Sequence, residues 1–445
     1  MIVYANKITP RLQYVADFLG RQITGEPFEL TTDTTRFKNY NGPKINYGYE
    51  DVSDNELLII NYPLLFEDTI KKQNTSCFIT NGFKAFFKSE GDYPFDIFAA
   101  VFYLLSRYEE YLPHRKDEYG RYAHENSLAF KEGFLHIPLV NIWIEDFKQA
   151  LKEKFSMPNP DSYRDQSRWL SGSTFNFLAT YDIDEAYAFK NKSLIKTAGG
   201  IARSAVRGQL SLISQRIKVL QNKKPDPYDA YEWMDKLHAK NNLKPIYFFH
   251  VASEKGKYDK NILPSEPAMQ QLIKRHADKY ALGVHPSWAS GDKKELLAEE
   301  IKTLELASSK KIALSRQHYI RFTLPSTFRR LIAAGITDDY SMGYGSINGF
   351  RASVASSFYW YDLKKEEQTK LLLHPFCYME ANSFFEQKYL PQRAYEEMMH
   401  YYNVVKAVNG TLITIWHNSF LGNYRSFAGW KEVYEEFVGA VKSEK

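Results

Sequence analysis

Cysteine is nearly missing from this chain: Cys77 and Cys377 are the only two among 445 residues. Two thiols so far apart build no disulfide framework and no zinc–thiolate site, and they suit a reducing compartment, so a cytoplasmic location is expected. Long apolar runs are missing too, and no stretch approaches the length of a membrane-spanning helix. The opening MIVYANKITPRLQYV has no basic segment followed by an apolar one, so no secretion signal is expected. No glycine-rich loop follows any predicted strand, which weakens a nucleotide-binding reading. The net charge of +5 is too slight to argue for nucleic acid as a partner. What the chain does have is aromatic residues, 16% of the total within a hydrophobic fraction of 44%. That composition supports real cores and excludes disorder. Aromatics also stack on sugars, although core packing explains most of them.

The length exceeds one ordinary domain. Residues 1–157 read as a smaller α/β domain, with strands at Met1–Tyr4 and Glu56–Tyr62 and helices at Arg11–Leu19 and Asp96–Leu112. Nothing in it pairs a nucleophile with a base, and Arg107, Glu109 and Glu110 read as a solvated helix face. Residues 158–173, PNPDSYRDQSRWLS and its flanks, are polar and turn-rich, a linker. From 174 to 445 the rhythm is alternating helix and strand. Buried strands are expected at Phe175–Thr180, Pro245–His250, Tyr280–His285, Ile312–His318, Leu371–Phe376 and Thr411–His417. Such alternation argues for a parallel sheet, open or closed into a barrel.

The stretch Thr174–Tyr187, TFNFLATYDIDEAY, is a strand that ends where its carboxylates begin. On continued strand Asp182 and Asp184 share one side, with Ile183 turned into the packing. Two such carboxylates repel unless a cation or a shared proton relieves them. Alone, a DxD is as well read as a polar turn capping the next helix. Its company lifts it: His250, His285, Arg316 with His318, and His417 with Asn418 also fall at C-terminal strand ends. In an α/β barrel those ends converge on one mouth. Aspartate and histidine ligands there suit a divalent metal such as zinc, with an open position for water.

In this order TYDID, FF at a strand end, GVHPSW, SRQHY and TIWHN resemble the polysaccharide deacetylases of carbohydrate esterase family four. The resemblance covers roughly Phe175 to the C-terminus and implies a distorted (β/α)7 barrel. The N-terminal part resembles the accessory domain that precedes such barrels in some bacterial proteins. The implied activity is metal-dependent removal of acetyl groups from an N-acetylated oligo- or polysaccharide. Asp182 would be the base and Asp184 a metal ligand, with Ile183 inserted between the family's adjacent pair. His285 matches the first metal histidine, but the second, four residues on, is Ala289 here. His318 stands where the family commonly has proline and is the expected replacement, with Ser287 and His250 as lesser candidates. Arg316 matches the arginine that orients the base, and His417 the histidine that protonates the leaving amine. Trp288, Tyr319, Arg351 and Trp416 are the candidate substrate contacts; Arg351 reads equally well as a structural ion-pair partner.

Two other functions remain open on the sequence. A glycosyltransferase could use DxD to hold a metal and a nucleotide-sugar, but it leaves the histidines idle. A non-catalytic barrel that lost its metal with the missing histidine would only bind glycans. Finally, Ala186–Lys224 holds nine Lys or Arg and no Asp or Glu, with helical apolar spacing in its second half. It reads as a solvated insertion or as a helix lying on an anionic membrane surface.

Overall fold

The computed structural model describes residues 1–156, 174–291 and 293–443. The segment read as a linker, 158–173, lies outside the described residues. Four short strands open the chain: β1 (Ile2–Tyr4), β2 (Glu29–Thr31), β3 (Lys44–Gly48) and β4 (Leu57–Ile60). They form one parallel sheet in the order β2-β1-β3-β4. The helix Pro10–Thr24 covers it, with Pro10 in its first turn, Thr9 capping the Leu12 N–H at 3.1 Å and Gly25 closing it at φ +82°. A hairpin of β5 (Phe78–Thr80) and β6 (Phe83–Ala85) follows.

The helix expected over Asp96–Leu112 starts where predicted but stops at Leu105. Asp96 caps it by accepting from the Ala99 N–H at 2.9 Å, and all nine helical residues are buried. Arg107 then turns left-handed at φ +53°, and Tyr108–Tyr111 form a tighter turn. The solvated face expected for Arg107 and Glu110 is therefore a mistaken expectation. Both are buried, and Arg107 Nε donates to Glu110 Oε1 at 2.8 Å. The sequence periodicity could not show that a backbone kink turns these charges inward.

The second sheet has nine strands. They are β7 (Asn176–Ile183), β8 (Ile246–His250), β9 (Ala281–His285), β10 (Leu314–Ser315), β11 (Asp338–Asp339), β12 (Phe358–Asp362), β13 (Glu367–Leu373), β14 (Tyr378–Met379) and β15 (Thr411–His417). Their order is β12-β13-β11-β10-β9-β8-β7-β15-β14, parallel throughout except for β12. The sheet curves strongly: Arg316, just after β10, reaches Asp182 on β7 across two intervening strands at 2.8 Å. A distorted (β/α)7 barrel was expected, and no ladder joins β13 to β14 among the described residues. At that side β13 pairs with β12, and this hairpin is held by the N-terminal part of the chain. Tyr14 donates to the Tyr359 carbonyl at 2.7 Å, and Arg11 pairs with Glu366 at 2.6 Å. The result is an α/β fold with a curved, open parallel sheet.

The N-terminal part is not an appended bead. Arg351 makes a two-pronged pair with Glu110, Nε to Oε1 at 2.8 Å and Nη2 to Oε2 at 2.6 Å, and all three charges of the Arg107–Glu110–Arg351 group are buried. Arg121 donates to the carbonyls of Tyr319 and Gly345 at 3.2 and 2.8 Å.

Candidate active site

Strand alternation decides which side chains reach the inside of the curved sheet. On β7, Phe177, Ala179, Tyr181 and Ile183 are buried. The Tyr181 hydroxyl is bonded to His238 and Tyr434, both on helices, so this set faces the helical layer. Asp182 and Asp184 belong to the opposite set and face inward together. Register then brings the partners: His417 on β15 lies beside Asp182, and His250 on β8 lies beside His285 on β9.

Three imidazoles point Nε2 at the Asp184 carboxylate. His285 lies 3.1 Å from Oδ1, while His318 and His417 each lie 3.4 Å from Oδ2. Every one of them has Nδ1 anchored on an oxygen that can only accept: His285 on the Arg316 carbonyl at 2.6 Å, His318 on Asp259 at 3.3 Å and His417 on Glu380 at 2.7 Å. In neutral form each ring carries its proton on Nδ1 and presents a bare Nε2 lone pair to a carboxylate. That arrangement is repulsive unless a cation lies between them, and it is how metal-ligating histidines are usually oriented. Asp184 Oδ1 is buried and has no hydrogen-bond partner. Asp184, His285 and His318 offer donor atoms all within 4.8 Å of one another. The donor set of one carboxylate and two imidazoles fits a divalent cation with room for further ligands.

A second cluster, His250, Asp259 and His318, shares His318. Asp259 Oδ1 already accepts from His250 Nε2 and from the Trp288 N–H, each at 2.9 Å. A neutral imidazole gives one nitrogen to a metal, and His318 turns Nε2, not Nδ1, toward the cavity carboxylate. Asp259 is therefore the outer support of His318, and His250 supports Asp259. Burial pushes His250 down to about 4, so it stays neutral.

Asp182 borders this group, its Oδ2 lying 3.8 Å from His285 Nε2, but its closest partner is an arginine. Asp182 is 2% exposed, its Oδ1 accepts from Arg316 Nη1 at 2.8 Å, and the guanidinium lies over Phe248, 4.3 Å from the ring centroid. Glu380, fully buried at the end of β14, accepts from both His417 Nδ1 and the His417 backbone N–H, the latter at 2.8 Å. Burial would lower the His417 pKa, but Glu380 and Asp184 outweigh it and hold it well above the ordinary value. Burial likewise opposes the charge on His318, and Asp184 with Asp259 raises it to about 9. Burial would raise Asp184, yet the facing His318 and His417 keep it well below the carboxylate range. Without a cation, protons fill its place.

The cluster opens into a cavity of about 630 Å³, within the usual size range for a ligand site. Asp182, Asp184, His285, His318 and His417 line it, as does Tyr319 among the expected substrate contacts. Trp288 does not; it stacks on Tyr258 at 3.9 Å behind the rim. Arg351 was a candidate substrate contact, and that is corrected: its guanidinium is spent on Glu110 and the Phe322 ring. Trp416 is corrected too. It is one residue before His417, so it faces the helices and packs on Tyr434 at 4.3 Å. Ala289 is exposed, away from the cavity, and Ser287 is engaged with Glu300 and Ser290. Sequence reasoning missed Glu380, Asp259 and the N-terminal contribution of Tyr119 and Arg121 to the cavity wall. Glu380 did carry a signal, an acid directly after the apolar run FCYM, whereas Asp259 sits in a loop without periodicity.

Comparison with known proteins adds outlines only. Residues 1–156 match a family model described as a family of unknown function, DUF7033. No curated protein matches the sequence. Among solved structures, the chain is similar to a protein assigned as a polysaccharide deacetylase from Mycobacterium smegmatis, with 12% identity, 62% of this chain and 86% of that one covered, and a TM-score of 0.41. Puue allantoinase gives 11% identity, coverage of 64% and 90%, and a TM-score of 0.41. A carbohydrate esterase family four pseudoenzyme from Bacillus anthracis gives 8% identity, coverage of 62% and 63%, and a TM-score of 0.32. At these values the function has to be argued from the residues of the site themselves.

Proposed function

We propose that the protein is a metal-dependent hydrolase that removes acyl groups, acetyl above all, from an N-acylated sugar or polysaccharide. One observation carries this: two carboxylates two residues apart have different surroundings, Asp182 held by an arginine at 2.8 Å with one imidazole 3.8 Å away, and Asp184 faced by three imidazole Nε2 atoms at 3.1 to 3.4 Å. Environments that divide a pair in this way assign one group to proton transfer and the other to a cation. The motif order of the sequence, which resembles family four esterases, points to the same chemistry.

Asp184, His285 and His318 would hold the cation, for which zinc suits the imidazoles. When bound, it supplies Lewis acidity toward a carbonyl oxygen and a water. Asp182 takes a proton from the attacking water as its oxygen adds to the amide carbon, and Arg316 fixes the direction of that carboxylate. His417, kept protonated by Glu380, gives its proton to the sugar nitrogen as the C–N bond breaks. The products are a carboxylic acid and a free amine. Tyr119 and Tyr319, stacked at 5.3 Å on the cavity wall, offer faces for a sugar ring. In this reading residues 1–157 are a unit that completes the cavity wall for the sheet of residues 174–445, with 158–173 joining them.

The test is acetate release from N-acetylated oligosaccharides by zinc-loaded protein, with Asp182→Asn alongside. Release by the wild type and none by the variant supports the assignment. Zinc-loaded protein that binds these glycans without releasing acetate is the non-catalytic barrel. Thermal stabilisation by nucleotide-sugars alone is the transferase. Either result overturns the proposal.

A further inference from the structure

The basic segment 186–224 folds as two helices, Leu194–Val206 and Leu210–Leu220, packed against each other. Its root is firmly built: the Asp226 carboxylate accepts from the N–H groups of Ala188, Phe189 and Lys190 at 2.7 to 2.9 Å. Lys192 pairs with Glu185 at 3.0 Å, and Glu185 lines the catalytic cavity. Beyond the root the first helix has a single buried residue, Ser204.

Its apolar face looks outward. At about 100° per residue, Leu194, Ile195, Ala198, Ala202, Ala205 and Val206 fall within an arc of about 120°. All six are exposed, Leu194 at 88%, Ile195 at 86% and Val206 at 89%. Leu210, at the start of the second helix, is 73% exposed. An amphipathic helix in a globular protein turns such a stripe to the core; here it is turned to solvent. Lys196 and Arg203 lie beside one edge of the stripe, and neither they nor Arg207 and Lys218 have an ion-pair partner among the described residues.

We infer that this hairpin docks the protein on an anionic lipid bilayer, the apolar stripe entering the acyl boundary and the adjacent cations meeting lipid phosphates. Charge complementarity selects the occupant. A second copy would set the unpaired cations Lys196, Arg203, Arg207 and Lys218 against their equals, with no Asp or Glu in either hairpin. A nucleic acid would use the charges and leave the stripe in water. A bilayer surface satisfies both at once. The docking is independent of the reaction proposed above, and its failure leaves that reaction untouched.

The experiment is co-sedimentation of the full chain with vesicles of phosphatidylcholine alone or mixed with phosphatidylglycerol, at low and high salt. Binding is expected on the anionic vesicles only, weakening as the Debye length shrinks from about 30 Å at 0.01 M to about 3 Å at 1 M. Lys196→Glu and Arg203→Glu should each cost at least about fivefold in partitioning. The triple variant Leu194→Ser, Ile195→Ser, Val206→Ser should lose about tenfold or more with unchanged melting temperature, because these side chains touch solvent in the free protein. Equal pelleting on both vesicle types, none on either, or undiminished binding by the serine variant each overturns the inference. So does tight binding to single-stranded RNA with no vesicle binding.

Discussion

Replacing Asp259 by Asn separates the two ways of reading the histidine clusters. The substitution keeps the shape of the side chain, and its amide oxygen can still accept from His250, the Trp288 N–H and His318 Nδ1, which all meet the same Oδ1. It removes the negative charge behind His318 Nδ1–H, so that bond weakens and Nε2 becomes a poorer, less firmly held donor toward the cation site. Losing such an outer support typically weakens metal binding by about 10- to 100-fold, or about 1.4 to 2.7 kcal/mol. Chelator-stripped protein titrated with zinc by calorimetry should show one site per chain, with the dissociation constant of the variant raised by that factor. His285→Ala and His318→Ala remove ligands and should abolish stoichiometric binding at micromolar zinc. His250→Gln should stay within about tenfold of the wild type, since His250 touches Asp259 and not the cation. An unchanged constant for Asp259→Asn would refute the outer-support argument. Binding kept by His285→Ala but lost by His250→Gln would place the metal in the other cluster.

Further expectations concern turnover and stability. Asp182→Asn should bind zinc normally yet lose about 10²- to 10⁴-fold in kcat on an acetylated oligosaccharide, the usual range for a missing general base. His417→Ala should lower kcat with little change in KM, and Glu380→Gln should do so more mildly while shifting the alkaline limb of the pH–rate profile to lower pH, because His417 must be protonated to act. Arg351→Met leaves the Glu110 carboxylate buried with only Arg107, and should cost about 3 kcal/mol in denaturant unfolding. Burial would raise the Glu110 pKa, but Arg351 and Arg107 depress it from 4.5 to about 2. The stability this group contributes, about 3 kcal/mol, is therefore complete above pH ~4.5 and drains away as pH falls toward 2. Wild type should lose stability across that window, and Arg351→Met should show a flatter profile.

The elements that position the site were legible because they follow one rule. β7, β8, β9 and β15 are apolar runs that stop at polar residues, and the structure places their ends within three residues of expectation. Alternation also predicts that Ile183 faces away from Asp182 and Asp184, as it does. The same rule, applied one residue further, would have excluded Trp416 as a substrate contact, because it precedes an inward-facing His417. Three features were not legible. β11 is two residues long and leaves too little period to read, and β10, also two residues, was expected as the longer run Ile312–His318. The opening of the sheet beside β13 depends on contacts with residues some 350 positions earlier, such as Arg11 with Glu366. Arg351 and Glu110 each look like surface charges until the other is seen, since burial of a charge is a property of the pair.

The Glu110–Arg351 pair also sets an order of events during synthesis. The two residues are 241 positions apart, and the carboxylate leaves the ribosome first. At about 5–20 residues per second, Glu110 waits roughly 12 to 48 seconds for its second arginine, with Arg107 as its only cation. Through that interval the nascent N-terminal part carries an open, half-neutralised seam where the later strands will close. Any slowing of translation between these positions lengthens the exposure of that seam, and a chaperone that shields it would raise the yield of folded chain without touching the finished protein.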